Sequence, residues 1–296
     1  MIIAIVGPTA VGKTAVSLDI ASVLGADIVS CDSVQLYKGL DIGSAKIPLS
    51  EQRGIVHHLM DVLEPDMAFS VADFQLSART IIDHLRHQDK PIVLVGGTGY
   101  YMKSVLHNFQ FVGKRDNAFE AQFEAMDNET LHAHLIMRDP SRAQKMHPNN
   151  RARVLQALYR LEQAQPLESE QQGNTPYYPY HMIGLDMTRE QLYTRINQRV
   201  DMMFAAGLVD EVKGLYERGV RGQSVQAIGY KELYEVFAGH ITIEEAKQQI
   251  KQNTRRYAKK QLTYFKNQFQ AHWFNVGSPT WKEQLLKQVE SWLKNG

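Results

Sequence analysis

Cysteine, net charge and long apolar runs are scarce in this chain of 296 residues. The single cysteine, Cys31, excludes a disulfide within the chain and a metal site built on several cysteines, and it is typical of a reducing cytoplasm. Thirty-three basic and 32 acidic side chains leave a formal charge of +1, so net charge identifies no partner. No apolar stretch is long enough for a membrane helix, and residues 1–6 lack the basic region of a signal peptide. These features favour a cytoplasmic protein.

The first third of the chain alternates between buried strands and helices. Residues 2–6 are a continuous apolar run, which is typical of a buried strand, and residues 27–31 and 91–95 also have the pattern of short strands. This order predicts a parallel α/β sheet flanked by helices. Ligands of such sheets bind at the carboxyl ends of the strands. We therefore expect the three strand ends to share one site.

The pattern changes near residue 113. Residues 118–144 and 151–163 are largely polar and have helical periodicity, and residues 165–179 are rich in proline, glycine and glutamine, which is typical of a loop. Residues 113–185 are therefore predicted to form a mostly helical insertion domain.

The remaining sequence predicts the core into which this domain is inserted. Residues 1–112 plus 186–296 are expected to form a P-loop α/β core with a helical C-terminal part. Within it, residues 189–237 and 243–269 have a helical pattern.

A glycine-rich turn directly follows the first strand. It matches the pattern G-x-x-x-x-G-K-[ST] in full, with a strand before it and a helix after it, which favours phosphate binding over a chance glycine-rich turn. The glycines let backbone N–H groups surround phosphate oxygens, and the helix N-terminus adds positive potential. The lysine supplies a point charge, and the final threonine offers a hydroxyl to Mg²⁺. The residues of this P-loop are Gly7, Pro8, Thr9, Ala10, Val11, Gly12, Lys13 and Thr14.

The P-loop does not identify the phosphate compound. Besides the P-loop, nucleoside triphosphatases usually carry an acidic residue at the end of another strand, where it holds the metal. The strand at 91–95 is followed by Gly-Gly-Thr, which contains no acidic residue. Asp32 does close a strand, and Ser33 and Gln35 beside it are suited to hydrogen bonding with a polar substrate. The motif can therefore serve a diphosphate leaving group rather than ATP.

Nine further motifs follow the P-loop in order. They are CDSVQLY at 31–37, DIGSAK at 41–46, HHLMDV at 57–62, FSVADF at 69–74, GGTGYY at 96–101, RINQRVD at 195–201, GLVDEV at 207–212, AIGYKE at 227–232 and TRRYAKKQLT at 254–263. This series covers nearly the whole chain, and it resembles the bacterial tRNA dimethylallyltransferases.

The resemblance implies a specific reaction. The enzyme would transfer a dimethylallyl group from dimethylallyl diphosphate to the exocyclic N6 amine of the adenosine immediately 3′ of the anticodon, and release diphosphate. The tRNAs would be those that read codons beginning with U. The implied partners are the tRNA anticodon stem-loop and dimethylallyl diphosphate, the implied cofactor is Mg²⁺, and the P-loop would be of the ATP-binding type. We expect a monomer.

The resemblance also implies roles for individual residues. Asp32 would be the base that takes a proton from the amine, and Thr9 would hydrogen-bond the bridging oxygen of the diphosphate. Arg199 would hold the phosphates together with Lys13 and Thr14. Taken alone, Asp32 could instead cap a helix or bind Mg²⁺, and Arg199 would be an ordinary solvated arginine.

Residues next to Asp32 are candidates for contact with the target base, which must be flipped out of its loop. Ser33, Val34 and Gln35 follow Asp32 directly, and a glutamine side chain can pair with two polar atoms of adenine. Thr98 would line the same channel, although a glycine-rich turn explains this threonine equally well.

Residues 251–266 contain six basic side chains and no acidic one. On a helix, Arg255 and Lys259 would lie on one face, where they could meet RNA phosphates or solvent alone. Arg151, Arg153 and Gln156 on the insertion helix are further candidates for contact with tRNA.

Three alternatives remain open on the sequence. An ATP-dependent small-molecule kinase would need the second acid that is not evident here. A relative that prenylates free AMP would have less use for the basic helix and the insertion. A non-catalytic RNA-binding module of the GTPase type would not need Asp32. The adjacent His57 and His58 side chains do not converge on one face, so we expect them to be structural.

Overall fold

The computed structural model of this chain describes residues 1–109, 111, 117–162 and 175–295. The chain divides into two compact units, one formed by Met1–His107 and Pro176–Gly296 and the other by Asn108–Thr175. The sequence suggested boundaries at 113 and 185 for the second unit. The strand at 181–186 instead belongs to the first unit, because it pairs with the central strand of the sheet.

The first unit is built on a six-stranded sheet in which every pairing is parallel. The strands are β1 (Ile2–Val6), β2 (Asp27–Ser30), β3 (His57–His58), β4 (Ile92–Val95), β5 (His181–Asp186) and β6 (His272–Asn275). Their order across the sheet is β3-β2-β4-β1-β5-β6. The predicted parallel sheet is confirmed, and the P-loop strand β1 lies inside it.

The apolar run of β1 is explained by burial on both faces. Side chains of a strand alternate between the two faces of a sheet. Ile2, Ala4 and Val6 accordingly pack in one buried cluster, and Ile3 and Ile5 pack in another on the opposite face. Helices therefore cover the sheet on both sides, as the continuous apolar pattern predicts.

The helices account for most of the remaining described residues. In chain order they are α1 (Lys13–Leu24), α2 (Val71–His87), α3 (Gly99–Leu106), α4 (Asn117–Gln122), α5 (Asn128–Arg138), α6 (Pro140–Ala143), α7 (Arg151–Glu162), α8 (Arg189–Ala205), α9 (Leu208–Glu217), α10 (Tyr230–Phe237), α11 (Ile243–Gln268) and α12 (Trp281–Asn295). The predicted helical C-terminal part is thus confirmed, with breaks between α8, α9 and α10. Within the ranges given above, no helix is both long and apolar enough to cross a membrane.

The second unit contains α4 to α7 around a small core of its own. Phe119, Leu131, Leu135 and Val154 are buried there. The helices predicted at 118–144 and 151–163 are confirmed for the residues that the structure describes. Residues 163–174, which include most of the predicted loop, lie outside them.

His57 and His58 form the short edge strand β3. The His58 Nε2 lies 2.9 Å from Asp27 Oδ2, and the His57 Nδ1 lies 2.9 Å from the carbonyl oxygen of Ile55. These contacts join β3 to its surroundings, which agrees with the structural role expected for both histidines.

Candidate active site

A cavity of about 390 Å³ opens in the first unit where three strands of the sheet end. Thr9 follows β1, Asp32 follows β2 and Thr98 follows β4, and all three residues line the cavity. Because the strands are parallel, their carboxyl ends lie at the same edge of the sheet, where such folds bind ligands. The three strand ends therefore share one site.

The residues predicted from the sequence fall into three groups. Those that line the cavity are Thr9, Asp32, Ser33, Val34, Thr98 and Arg199. Those that belong to the first unit but lie outside this lining are Gly7, Pro8, Ala10, Val11, Gly12, Lys13, Thr14, Gln35, Arg255 and Lys259. Those that belong to the second unit are Arg151, Arg153 and Gln156.

The P-loop connects β1 to α1. Gly12 has a φ of 107°, a left-handed conformation that side chains with a Cβ rarely adopt. The turn places the N-terminus of α1 at the end of β1, where unpaired backbone N–H groups can bind an anion. The ammonium of Lys13 donates hydrogen bonds to the carbonyl oxygens of Gly7 and Pro8, each at 3.0 Å. These bonds hold the charge of Lys13 over the turn.

Two cations and one carboxylate interact in this region. The pKa of Lys13 is lowered to about 8, mainly by burial and secondly by the positive charge of Arg199. The negative charge of Asp32 acts to raise it. Burial also lowers the pKa of Arg199, and Asp32 again opposes the change. An anion bound beside the two cations would favour both charged forms. The region is therefore suited to a phosphate or diphosphate group.

Asp32 presents one carboxylate oxygen to the backbone. Its Oδ1 accepts hydrogen bonds from the amides of Val34 at 2.9 Å and Gln35 at 3.4 Å, so it caps the turn after β2. In the described part of the chain, no donor is hydrogen-bonded to its Oδ2. The half-buried carboxylate thus has a fixed orientation and one oxygen available to a substrate proton.

The side chains after β2 are oriented by further hydrogen bonds. The Oε1 of Gln35 accepts from Ser30 Oγ at 3.1 Å, and its Nε2 donates to the carbonyl oxygen of Ser44 at 3.3 Å. The Thr98 Oγ1 accepts from the amide of Ser33 at 3.2 Å and donates to Ser33 Oγ at 3.3 Å. Gln35 is therefore engaged within the protein, whereas the Ser33–Thr98 pair lies on the cavity lining.

The apolar wall of the cavity was missed by the sequence analysis. Four lining side chains of α8 follow the spacing of a single helix face, so the cation of Arg199 lies in a row of apolar groups. These four residues are Ile196, Arg199, Val200 and Met203. This spacing is visible in the sequence, but it predicts an ordinary core face equally well. The apolar lining residues are Val34, Ile196, Val200, Met203, Ala227, Ile228 and Ile250.

Helix α11 contributes to the cavity with one face. Ile250, Thr254 and Tyr257 line it, and the Oε1 of Gln261 accepts a hydrogen bond from the amide of Thr9 at 2.8 Å. Burial, and secondly the charge of Asp32, raise the pKa of Tyr257 to about 12, so its hydroxyl stays protonated at neutral pH. Part of this face of α11 therefore faces the cavity.

The basic side chains of α11 differ in their bonding partners and in their exposure. Lys251 Nζ lies 2.7 Å from Asp201 Oδ1, Arg255 Nη1 donates to Asn197 Oδ1 at 2.7 Å, and Lys266 Nζ lies 2.8 Å from Asp186 Oδ2. Arg256, Lys259, Lys260 and Lys266 are exposed. Of the two residues predicted to contact tRNA here, Lys259 is thus exposed and Arg255 is bonded to α8.

The three candidates on α7 are also placed differently. The guanidinium of Arg151 donates to the carbonyl oxygens of Phe123 and Met126, so it holds α7 to the chain before α5. Arg153 is exposed, and Gln156 is half-buried. Arg153 is the member of this group that is most accessible to a ligand.

Comparisons with known proteins agree with the motif series. A family model described as IPP transferase matches residues 35–268. A tRNA dimethylallyltransferase of Anoxybacillus flavithermus is 44% identical over an alignment of 298 positions, which covers 99% of this chain and 96% of that protein. The crystal structure of a tRNA delta(2)-isopentenylpyrophosphate transferase from Staphylococcus epidermidis matches with a TM-score of 0.76 and 40% identity, over 100% of this chain and 99% of that one.

A more distant structure has the same fold. It is that of a eukaryotic dimethylallyltransferase acting on tRNA, which matches with a TM-score of 0.86 and 25% identity, over 99% of this chain and 79% of that one. The resemblance found in the sequence is therefore confirmed. The chain belongs to the IPP transferase family, among the tRNA dimethylallyltransferases.

Proposed function

We propose that the cavity at the strand ends is where a dimethylallyl group passes from dimethylallyl diphosphate to an adenosine of tRNA. The chain is a prenyltransferase of the tRNA dimethylallyltransferase family, and its substrates are tRNA and dimethylallyl diphosphate. The acceptor is the exocyclic N6 amine of the adenosine immediately 3′ of the anticodon, in tRNAs that read codons beginning with U.

One observation carries this proposal: a carboxylate, a cation and an apolar wall line one cavity, and a second cation lies close to it. Asp32 and Arg199 line it, and Lys13 lies near enough for its pKa to respond to both. A prenyl donor needs an anion site next to apolar contacts. The face of α8 that carries Arg199 supplies apolar contacts beside the cations.

The transfer requires one bond to break, one bond to form and one proton to move. The bond between the allylic carbon and the diphosphate oxygen breaks, and the oxygen keeps the electron pair. The lone pair of N6 forms the new bond to carbon, and the Oδ2 of Asp32 accepts the N6 proton. Lys13 and Arg199 stabilise the charge that develops on the diphosphate, and the hydroxyl of Thr9 donates to the bridging oxygen.

We propose that the divalent metal used by this family is Mg²⁺ here and that it accompanies the diphosphate. The described residues contain no group of three or more His, Cys, Asp or Glu side chains that could hold a metal. Mg²⁺ at phosphate sites needs no such group, because one or two protein oxygens, phosphates and water hold it. The hydroxyl of Thr14, exposed at the start of α1, fits this role, and the ion would neutralise charge on the diphosphate.

The anticodon stem-loop is proposed to contact exposed cations on two helices. Arg256, Lys259 and Lys260 on α11, and Arg153 on α7, are exposed and can meet phosphates. The target base is flipped out of its loop to reach Asp32, while the donor approaches the cavity from another side. The expected monomer stays a prediction. The cytoplasmic location stays a prediction.

Label transfer tests the proposal. Radiolabelled dimethylallyl diphosphate and Mg²⁺ are incubated with the protein and either bulk tRNA, AMP or ATP. A matched pair of anticodon stem-loops, with adenosine or guanosine after the anticodon, locates the acceptor. We expect label in tRNA and in the adenosine stem-loop alone.

Each open alternative gives another result. Label in AMP but not tRNA would indicate a free-nucleotide prenyltransferase, and rapid ATP hydrolysis without label transfer would indicate a kinase-like enzyme. Binding of tRNA with neither reaction would indicate a non-catalytic RNA-binding module. Any of these three results would overturn the proposal.

A further inference from the structure

Gln261 is buried in α11 and uses both ends of its side-chain amide. Its Oε1 accepts a hydrogen bond from the backbone N–H of Thr9 at 2.8 Å, and its Nε2 donates to the carbonyl oxygen of Gly97 at 2.9 Å. Thr9 lies in the P-loop, and Gly97 directly precedes Thr98 on the cavity lining. One side chain thus joins the end of β1 to the end of β4.

The packing around this amide is tight. A Cβ added to Gly97 would collide with the Nε2 of Gln261, so the absence of a side chain at Gly97 lets the amide reach the carbonyl oxygen. Tyr257, one turn earlier on α11, lines the cavity, and its hydroxyl lies 3.4 Å from the same carbonyl oxygen. The position of Gln261 is therefore closely defined by its neighbours.

This contact fixes a part of the P-loop that the reaction uses. Backbone N–H groups of a P-loop are donors for phosphate oxygens, but the N–H of Thr9 is already bonded to a buried amide oxygen. The main chain of Thr9 is therefore held by the protein itself, while its side chain lies on the cavity lining. A small displacement of this main chain would move the Thr9 hydroxyl relative to the diphosphate.

We infer that Gln261 is a positioning residue for prenyl transfer, because it holds the backbone of Thr9 so that the Thr9 hydroxyl meets the bridging oxygen. The inference rests on the proposed function, since it concerns the same reaction. Gln261 is outside the cavity lining, so it acts through Thr9 rather than on the substrate. Its loss lowers the rate of transfer and leaves tRNA affinity unchanged.

A matched pair of variants tests this role. Gln261→Met keeps an unbranched side chain of similar length but removes both hydrogen bonds, and Gln252→Met makes the same change at an exposed position of α11. In single-turnover transfer to tRNA, we expect Gln261→Met to be roughly 10- to 100-fold slower than the wild type, which is the effect of a small misplacement of reacting groups. Gln252→Met should be unchanged. Equal rates for the two variants would overturn the inference.

A double-mutant cycle separates positioning from general support of the fold. Thr9→Ala keeps the backbone N–H but removes the hydroxyl, so Gln261→Met should cause little further loss in the Thr9→Ala background. If Gln261→Met lowers the transfer rate by the same factor in both backgrounds, Gln261 does not act through Thr9. That result would overturn the inference. If the wild type transfers no label to tRNA, the proposed function itself has failed, which is a different result.

A third variant keeps the inference testable if Gln261→Met folds poorly. Gln261→Glu retains an acceptor for the Thr9 N–H, but it can donate to the Gly97 carbonyl only when its carboxyl is protonated. Its rate relative to the wild type at the same pH should therefore rise as the pH falls, because protonation restores the hydrogen bond to Gly97 that helps to hold this side chain against Thr9. A ratio that does not change with pH would contradict the positioning role.

Discussion

The positive charge of Arg199 helps to lower the pKa of Lys13 to about 8, second only to the effect of burial. Arg199 comes from α8 and Lys13 from the start of α1, so the fold brings two cations together from distant parts of the chain. Like charges held close together are unfavourable unless an anion joins them. This relationship indicates a site prepared for a diphosphate.

Binding of the donor should weaken as the pH rises through about 8. Lys13 is protonated below its pKa of about 8 and neutral above it, and a neutral amine does not neutralise a phosphate oxygen. The value of kcat/KM for dimethylallyl diphosphate, which reports the free enzyme, should therefore fall roughly tenfold per pH unit above this value. Lys13→Arg stays charged, so its profile should lack this fall. A wild-type profile that is flat up to pH 9 would exclude this role for Lys13.

Lys259→Ala should weaken tRNA binding in a salt-dependent manner. Lys259 is exposed on α11, and a lysine that neutralises one phosphate contributes about 0.7 to 0.9 to the slope of log K against log salt concentration. Titration of an anticodon stem-loop at several salt concentrations measures this slope. Lys287→Ala removes an exposed lysine from α12 and serves as the control. Equal slopes for both variants would remove Lys259 from the RNA contact.

Glu211→Gln should loosen the loop that carries Ser44 to the cavity. The carboxylate of Glu211 accepts hydrogen bonds from the amides of residues 41–43, at 2.9, 2.7 and 3.1 Å, and from the hydroxyl of Tyr230 at 2.7 Å. An amide offers one acceptor oxygen instead of two, so at least one donor loses its partner, at a cost of about 1–3 kcal/mol in the free energy of unfolding.

Tyr230→Phe is the matched control for this loop, because it removes one donor and leaves the carboxylate intact. Urea unfolding should show a smaller loss of stability for Tyr230→Phe than for Glu211→Gln. The reverse order would mean that the carboxylate is not the main anchor of the loop.

Much of the fold can be predicted because the signals are local. Five consecutive apolar residues define β1, and the glycines of the P-loop fix the turn into α1. The strands β3 and β6 were not predicted, since β3 is a pair of histidines and the ends of β6 are exposed. Their conformation comes from pairing with β2 and β5. The end of the second unit was placed too late for a similar reason, because the pairing of β5 with β1 is invisible in the local pattern.

The site was predictable only where residues follow a strand. Thr9, Asp32 and Thr98 do so, and the parallel order of the strands brings them together. Gln261 gave no such signal, because it is 252 residues from Thr9 in the sequence and lies in a helix rich in polar side chains. A buried glutamine in such a helix has the same local pattern as an exposed one. Met203 was likewise indistinguishable from a core residue.

Asp27→Asn should destabilise the protein at neutral pH more than at acidic pH. Burial on its own raises the pKa of Asp27, but hydrogen bonds from Lys90 and His58 outweigh it, so the net pKa is lowered. A lowered carboxyl pKa contributes stability above the ordinary value of about 3.9, and this stability is lost as the pH falls through the folded-state value.

The loss for Asp27→Asn in urea unfolding should be about 2 kcal/mol at pH 7 and should shrink near pH 3. Lys90→Met, which removes one partner of the same carboxylate, should show the same trend with a smaller effect. An Asp27→Asn penalty that is equal at both pH values would contradict the ion pairing of Asp27.

The rate of the chemical step in Asp32→Asn tests the central claim most directly. Asparagine keeps an oxygen that can accept from the amides of Val34 and Gln35, so the turn retains its cap, but the amide does not take up a proton. We predict that single-turnover transfer to tRNA falls by roughly 10²- to 10⁴-fold, while the affinities for dimethylallyl diphosphate and tRNA change little. Transfer by Asp32→Asn at the wild-type rate would show that another group removes the proton from the adenine amine.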